Sequence, residues 1–148
     1  MHQQDFIGAF LQGKLKNNVF VNLDNRYADY SPEHSNYFGR ALILFKSLYG
    51  MTNSGKLIAE KLTECLLEAG FIKSQCQMSI YYEYGPNGTK IVVLYYFDAY
   101  VYWYTSEALE KWFFDALGNT FHVNFLGYAH WFMSIIISHI VYHYIYVD

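Results

Sequence analysis

The sequence predicts an α+β domain in which a largely antiparallel sheet carries two helices packed on one face. Three observations lead there. Ile91 to Trp103 is an unbroken apolar and aromatic run, rich in β-branched residues and too short and too polar at its centre for a membrane span. It reads as two buried strands joined by a tight turn at Phe97 to Tyr100. Two further stretches, Ser54 to Ala69 and Ser106 to Leu117, repeat their apolar residues at helical spacing. Finally, Ser79 to Tyr84 and Lys90 to Phe97 flank Gly85-Pro86-Asn87-Gly88, whose Asn-Gly pair signals a hairpin.

The remaining elements follow in chain order. Gln4 to Leu11 reads as a short strand entering one helical turn, with Phe10 and Leu11 toward the core. Val19 to Leu23 alternates like a strand, Asp24 to Gly39 is a long loop, and Ala41 to Phe45 is a strand. Asn53 and Ser54 are good caps for the first helix, whose stripe of Leu57, Ile58, Leu62, Cys65, Leu66 and Ala69 ends at Gly70. Ser106 caps the second, with Leu109, Trp112, Phe113 and Leu117 inward and Gly118 at its end. Phe121 to Phe125, Trp131 to Ile137 and Val141 to Val147 read as short strands. The last two stretches are apolar, but His139 and His143 interrupt them, and no membrane span is expected.

At 148 residues the chain is one domain with a real core, and no second domain is expected. Hydrophobic residues are 53%, aromatic residues 21% and charged residues 16%, against roughly 25% charged in an average domain. The surface is therefore thinly supplied with charge. A net charge of −3 and only two arginines, Arg26 and Arg40, leave no basic footprint of a nucleic-acid binder. Cys65 and Cys76 stand in no CxxC or zinc-finger pattern and read as reduced core residues of an intracellular, cytoplasmic or nuclear, protein. The first residues lack the basic and apolar regions of a secretory signal, so Asn87-Gly88-Thr89 is read as a turn and not as a glycosylation site.

Asp98 is the residue of interest in the central run. A charge between buried strands is costly unless it is paired or coordinates a metal. Asp98 is either a turn residue bonding its own backbone or a cation ligand.

Four motifs in order, Asp5-Phe6-Ile7-Gly8-Ala9-Phe10-Leu11-Gln12-Gly13, Lys46-Ser47-Leu48-Tyr49-Gly50-Met51, Tyr96-Phe97-Asp98-Ala99 and Phe125-Leu126-Gly127-Tyr128-Ala129-His130-Trp131-Phe132, resemble the reverse transcriptase of copia-type retrotransposons. The resemblance runs along nearly the whole chain. It implies a polymerase palm, a ferredoxin-like antiparallel sheet, over a single partial domain of residues 1–148, with part of the fingers in 12–50 and no thumb, integrase or RNase H. It also implies a Mg²⁺ cofactor, an RNA or DNA template-primer and a deoxynucleoside triphosphate as partners.

Nucleotidyl transfer uses two Mg²⁺ ions about 3.5–4 Å apart, and such hard cations take carboxylate oxygens. Carried over by position, Asp5 and Asp98 match catalytic, metal-binding carboxylates of the family. Phe10 matches the aromatic position that closes over the sugar, and Gly50 and Asn53 match the motif near the templating base and incoming nucleotide. The third carboxylate position of the Tyr-x-Asp-Asp turn is Ala99, and Asn53-Ser54-Gly55 departs from the usual Gln-Ala-Pro. A methyl cannot bind a cation, so the resemblance implies an RNA-directed DNA polymerase with a degenerate, impaired site.

Two other classes compete with this reading. One is a non-catalytic binding module whose sheet aromatics stack bases. The other is a module that self-associates through its tyrosine-rich strands, such as Tyr142 to Val147, whose edges carry little charge. A metal site from His122, His130, His139 and His143 has no HExxH spacing behind it.

Overall fold

In the computed structural model, residues 1–22, 24 and 39–138 are described. Their contacts divide into two compact units, Gly8–Cys65 and a second made of Met1–Ile7 with the chain from Leu66 onward. The loop expected over 24–39, apart from Asp24 and Gly39, and the strand expected over 141–147 lie outside the described residues.

The larger unit is built on a six-stranded sheet. Its strands are β1 (His2–Phe6), β4 (Ile72–Lys73), β5 (Ile80–Tyr84), β6 (Lys90–Tyr96), β7 (Ala99–Tyr104) and β8 (Val123–Tyr128). The spatial order is β4-β5-β6-β7-β1-β8, with every neighbouring pair antiparallel. With the helices α1 (Ser54–Glu68) and α2 (Glu107–Gly118) added, the order of elements β1-α1-β6-β7-α2-β8 is the ferredoxin-like arrangement, widened at one edge by β4 and β5. The expected α+β architecture is therefore present.

Strand alternation divides the sheet into two faces. Phe6, Tyr81, Ile91, Val93, Tyr100 and Tyr102 are buried on one, where α2 packs on β6 and β7. Phe113 is the central plug from α2, with its ring 5.7 Å from that of Tyr100 and 5.5 Å from that of Tyr102. The turn after α1 lies on the same face: Phe71 stacks on Trp112 at 5.1 Å and meets Phe113 edge-on at 5.6 Å. That turn is a Schellman motif, in which Phe71 N–H donates to Leu66 O and Gly70 N–H to Leu67 O. Gly70 sits at φ +102°, which a side chain would strain.

A polar chain crosses this aromatic core. Gln4, only 2% exposed, accepts a hydrogen bond from the Tyr100 hydroxyl at its Oε1, and its Nε2 lies 3.5 Å from the Tyr102 hydroxyl. The Tyr102 hydroxyl in turn donates to Glu110 Oε1 at 3.0 Å, and His2 Nδ1 lies 3.4 Å from the same oxygen. Burial pushes both tyrosine hydroxyls well above their ordinary pKa, so they remain neutral donors.

The unit Gly8–Cys65 contains a 3₁₀ turn (Ala9–Leu11) and an antiparallel pair, β2 (Lys14–Asn22) with β3 (Ala41–Lys46). Here the expectation that Leu11 faces the core fails. Ala9 is buried and Leu11 is exposed, because a single tight turn of three residues can aim only one of them inward. Ser54 is the first residue of α1, and its hydroxyl donates back to Leu48 O at 2.7 Å.

Three more expectations are corrected. The β6–β7 ladder runs on to Tyr96 opposite Ala99, so its loop is only Phe97 and Asp98, tighter than a turn reaching Tyr100. The strand expected over 131–137 is a hairpin of β9 (Trp131–Phe132) and β10 (Ile135–Ile136). Met133 and Ser134 both take positive φ there, the pattern of a type I′ turn made without its usual Asn-Gly. Cys76 is exposed and Cys65 partly so, so Cys76 is no core residue.

The polar chain yields a prediction. Gln4→Leu removes the partner of a buried hydroxyl and should cost about 1–3 kcal/mol in urea unfolding. Tyr100→Phe in the same background should recover much of that loss, because it removes the orphaned hydroxyl itself.

Candidate active site

Asp5 and Asp98 are brought together by the sheet. β1 lies between β7 and β8, and its end runs past the two-residue β6–β7 loop, where Phe6 N–H donates to Asp98 O at 2.9 Å. Asp5 pairs with Ala99 on one side and Asn124 on the other, so these side chains share the face opposite α2. The pair thus sits at the strand ends in the interior of the ladder, not on an edge strand.

The loop holding Asp98 is strained. Phe97 takes φ +55° while its neighbour does not take positive φ, the pattern of a type II′ turn normally reserved for glycine at that position. The Phe97 ring, half exposed, packs edge-on against Tyr96 at 4.6 Å. Positive φ on a bulky aromatic persists only where the surroundings impose it. Here the β6–β7 ladder on both flanks and the bond to β1 impose it.

The electrostatics mark this end of the sheet. The Asp5 carboxyl is held above the usual carboxylate range, first by burial and then by the negative charge of Asp98, with a backbone hydrogen bond from Phe6 opposing. Its Oδ1 is buried without a hydrogen-bond partner. Burial, then Tyr81 and last the Asp98 charge, push the Tyr95 hydroxyl up to about 12. An orphaned carboxylate oxygen beside a second carboxylate fits one hard divalent cation, which would relieve both the repulsion and the missing partner. The set does not fit two. Among the described residues no group of three or more His, Cys, Asp or Glu is poised to hold a metal, and Ala99 occupies the register position facing Asp5.

The other three expected residues belong to the unit Gly8–Cys65. Phe10 is partly buried and meets Tyr49 edge-on at 5.4 Å; the Ser47 hydroxyl donates to its carbonyl. Gly50 sits at φ +86° with open space where a Cβ would be, so its backbone conformation and not crowding calls for glycine. Asn53 is exposed and accepts a hydrogen bond from Leu57 N–H at its carbonyl. Its side chain lines a cavity of about 230 Å³ with Lys16, Lys56 and Glu60. Lys16 Nζ is 2.7 Å from Glu60 Oε2 and Lys56 Nζ 3.8 Å from Oε1. Sequence reasoning missed this cationic cavity; the Lys56–Glu60 spacing of four was its one visible signal.

The larger unit is a ferredoxin-like antiparallel sheet with two carboxylates beside its central hairpin loop. A family model described as Reverse transcriptase (RNA-dependent DNA polymerase) matches residues 1–145. The chain belongs to that reverse transcriptase family, whose members bind a nucleic-acid template. No curated protein and no solved structure matches it. Among the described residues no helix is long and apolar enough to cross a membrane.

The Asp5 environment has a pH consequence. A carboxyl whose folded-state pKa is raised favours the folded state most below its unfolded value, near 3.8, and that contribution is lost as pH rises through the folded value. Asp5→Asn should therefore raise the melting temperature at pH 7 in EDTA, and the gain should disappear near pH 3. Melting curves at the two pH values check this.

Proposed function

We propose that this chain is the palm of a copia-type retrotransposon reverse transcriptase, with part of the fingers over 12–50, and that its polymerase activity is impaired. Its substrates are an RNA or DNA template-primer and a deoxynucleoside triphosphate. The observation that carries the reading is the Asp5 and Asp98 pair, with an orphaned oxygen on Asp5 and a methyl at Ala99 where the family has its third carboxylate. Asp5 and Asp98 are the residues that would hold Mg²⁺. A magnesium ion bound there would supply charge neutralisation at the triphosphate. Phe10, held edge-on by Tyr49, is assigned to the sugar, and Gly50 and Asn53 to the neighbourhood of the templating base.

Removal of one charge from the carboxylate set should weaken the second cation more than the first, because the first still meets two negative groups and the second meets charge already neutralised. Cation binding and efficient synthesis are therefore separable.

Two measurements check it. Thermal unfolding followed by near-ultraviolet circular dichroism should shift upward when EDTA is replaced by Mg²⁺ or Mn²⁺. At about a hundred times the dissociation constant the gain is about 2.7 kcal/mol, or roughly 5–10 °C. Asp98→Asn should abolish the shift. In primer extension the chain should give no efficient template-dependent synthesis with either metal; efficient synthesis would contradict the impairment.

A further inference from the structure

The face of the sheet that carries Asp5 holds a second cluster at its far end. Side chains on this face come in rows across the strands. Asp5, Ala99 and Tyr96 form one row; Val101, Leu94 and Ile80 form the next; Trp103, Val92 and Tyr82 form the third. The last row pairs Lys90 with Tyr84. Four residues of strand separate Ala99 from Trp103, about 14 Å.

The rows differ in what covers them. Phe132 and Ala129 pack with Val101, Leu94 and Ala99. The far rows stay open. Trp103 is 38% exposed and Tyr84 62%, and Tyr82, Tyr84, Lys90 and Val92 line a concavity of about 230 Å³. The Lys90 ammonium stands 5.2 Å from the centre of the Trp103 ring, and Tyr82 and Tyr84 meet edge-on at 5.7 Å. The lysine backbone is clamped from both sides: its N–H donates to Thr105 Oγ1 at 2.8 Å, and its carbonyl accepts from Thr105 N–H at 3.0 Å. Glu83, between the two tyrosines, projects to the other face by alternation.

We propose that Tyr82, Tyr84, Trp103 and Lys90 form a stacking site for single-stranded nucleic acid, separate from the Asp5 and Asp98 centre. The inference rests on the chain's work as a nucleic-acid enzyme. Exposed aromatic rings on a sheet offer flat faces to unpaired bases, and every base has a face to give, so such a site tolerates sequence. The ammonium beside the rings supplies charge for the phosphate that follows each base. Lys90 is the charge in its row, paired there with Tyr84. A duplex, with its base faces closed, has nothing to stack there.

The test is fluorescence anisotropy of a labelled 12-nucleotide oligo(U) strand with the full chain in EDTA, where no cation fills the carboxylate pair. The wild type should bind. Tyr84→Ala should weaken binding by about tenfold or more, whereas Tyr84→Phe, which keeps the ring, should bind like wild type. Lys90→Ala should weaken binding and lower the dependence of log affinity on log salt by about one unit. Near-ultraviolet circular dichroism of each variant confirms the fold. Binding that ignores Tyr84→Ala or Lys90→Ala, or absent binding by the wild type, overturns the stacking site. Sedimentation showing self-association that Tyr84→Ala abolishes, with no strand bound, also overturns it and makes this face an interface between copies. Metal-linked stability and primer extension read the carboxylate pair independently, so failure here leaves the polymerase reading standing.

Discussion

The backbone pairing that brings Asp5 and Asp98 together is the constraint on which the site depends. Placing β1 between β7 and β8 leaves no freedom in it: the ladder puts Asp5 across from Ala99, and Phe6 N–H fastens the Asp98 carbonyl at 2.9 Å. Two negative groups are thereby held together by backbone hydrogen bonds. Burial, and after it the charge of Asp98, raises the Asp5 pKa, and the Asp5 Oδ1 is left without a hydrogen-bond partner. A fold does not keep such a pair for stability, since an apolar or amide side chain at either position would be easier to accommodate. The arrangement makes physical sense as a seat for a cation.

The surroundings are built to hold that strain rather than relieve it. Phe97 at φ +55° could relax only if the hairpin loosened, and the hairpin is anchored by β6 and β7, whose inward side chains Val93, Tyr100 and Tyr102 are almost wholly buried. On the same face as those rings, Gln4 joins Tyr100 to Tyr102, and Tyr102 joins Glu110 on α2. One strand residue therefore bonds the core, and the next one, Asp5, serves the opposite face. Alternation along β1 separates what stabilises the sheet from what burdens it.

Much of this was legible in the sequence, for identifiable reasons. The Ile91 to Trp103 run could be read as a hairpin because its β-branched and aromatic residues favour strands, and the two helices because their apolar residues recur at helical spacing. The meeting of Asp5 with Asp98 was legible only through the order of the motifs, since the residues are far apart in the chain and no local pattern specifies that β1 lies between β7 and β8. What escaped was set by tertiary context. The Met133 and Ser134 turn carries no turn chemistry, the two-residue strand β4 is too short to show a period, and Gln4 looks like any polar residue until Tyr100 and Tyr102 close around it.

The central proposal is that Asp5 and Asp98 hold a single divalent cation with the methyl of Ala99 at the register position facing Asp5. Titration of the chain with Mn²⁺ at neutral pH, with free ion counted by electron paramagnetic resonance, tests this most directly. The account predicts one bound Mn²⁺ per chain and none at that site in Asp98→Asn. A wild type that takes up no ion, or an Asp98→Asn variant that takes it up equally well, would contradict it.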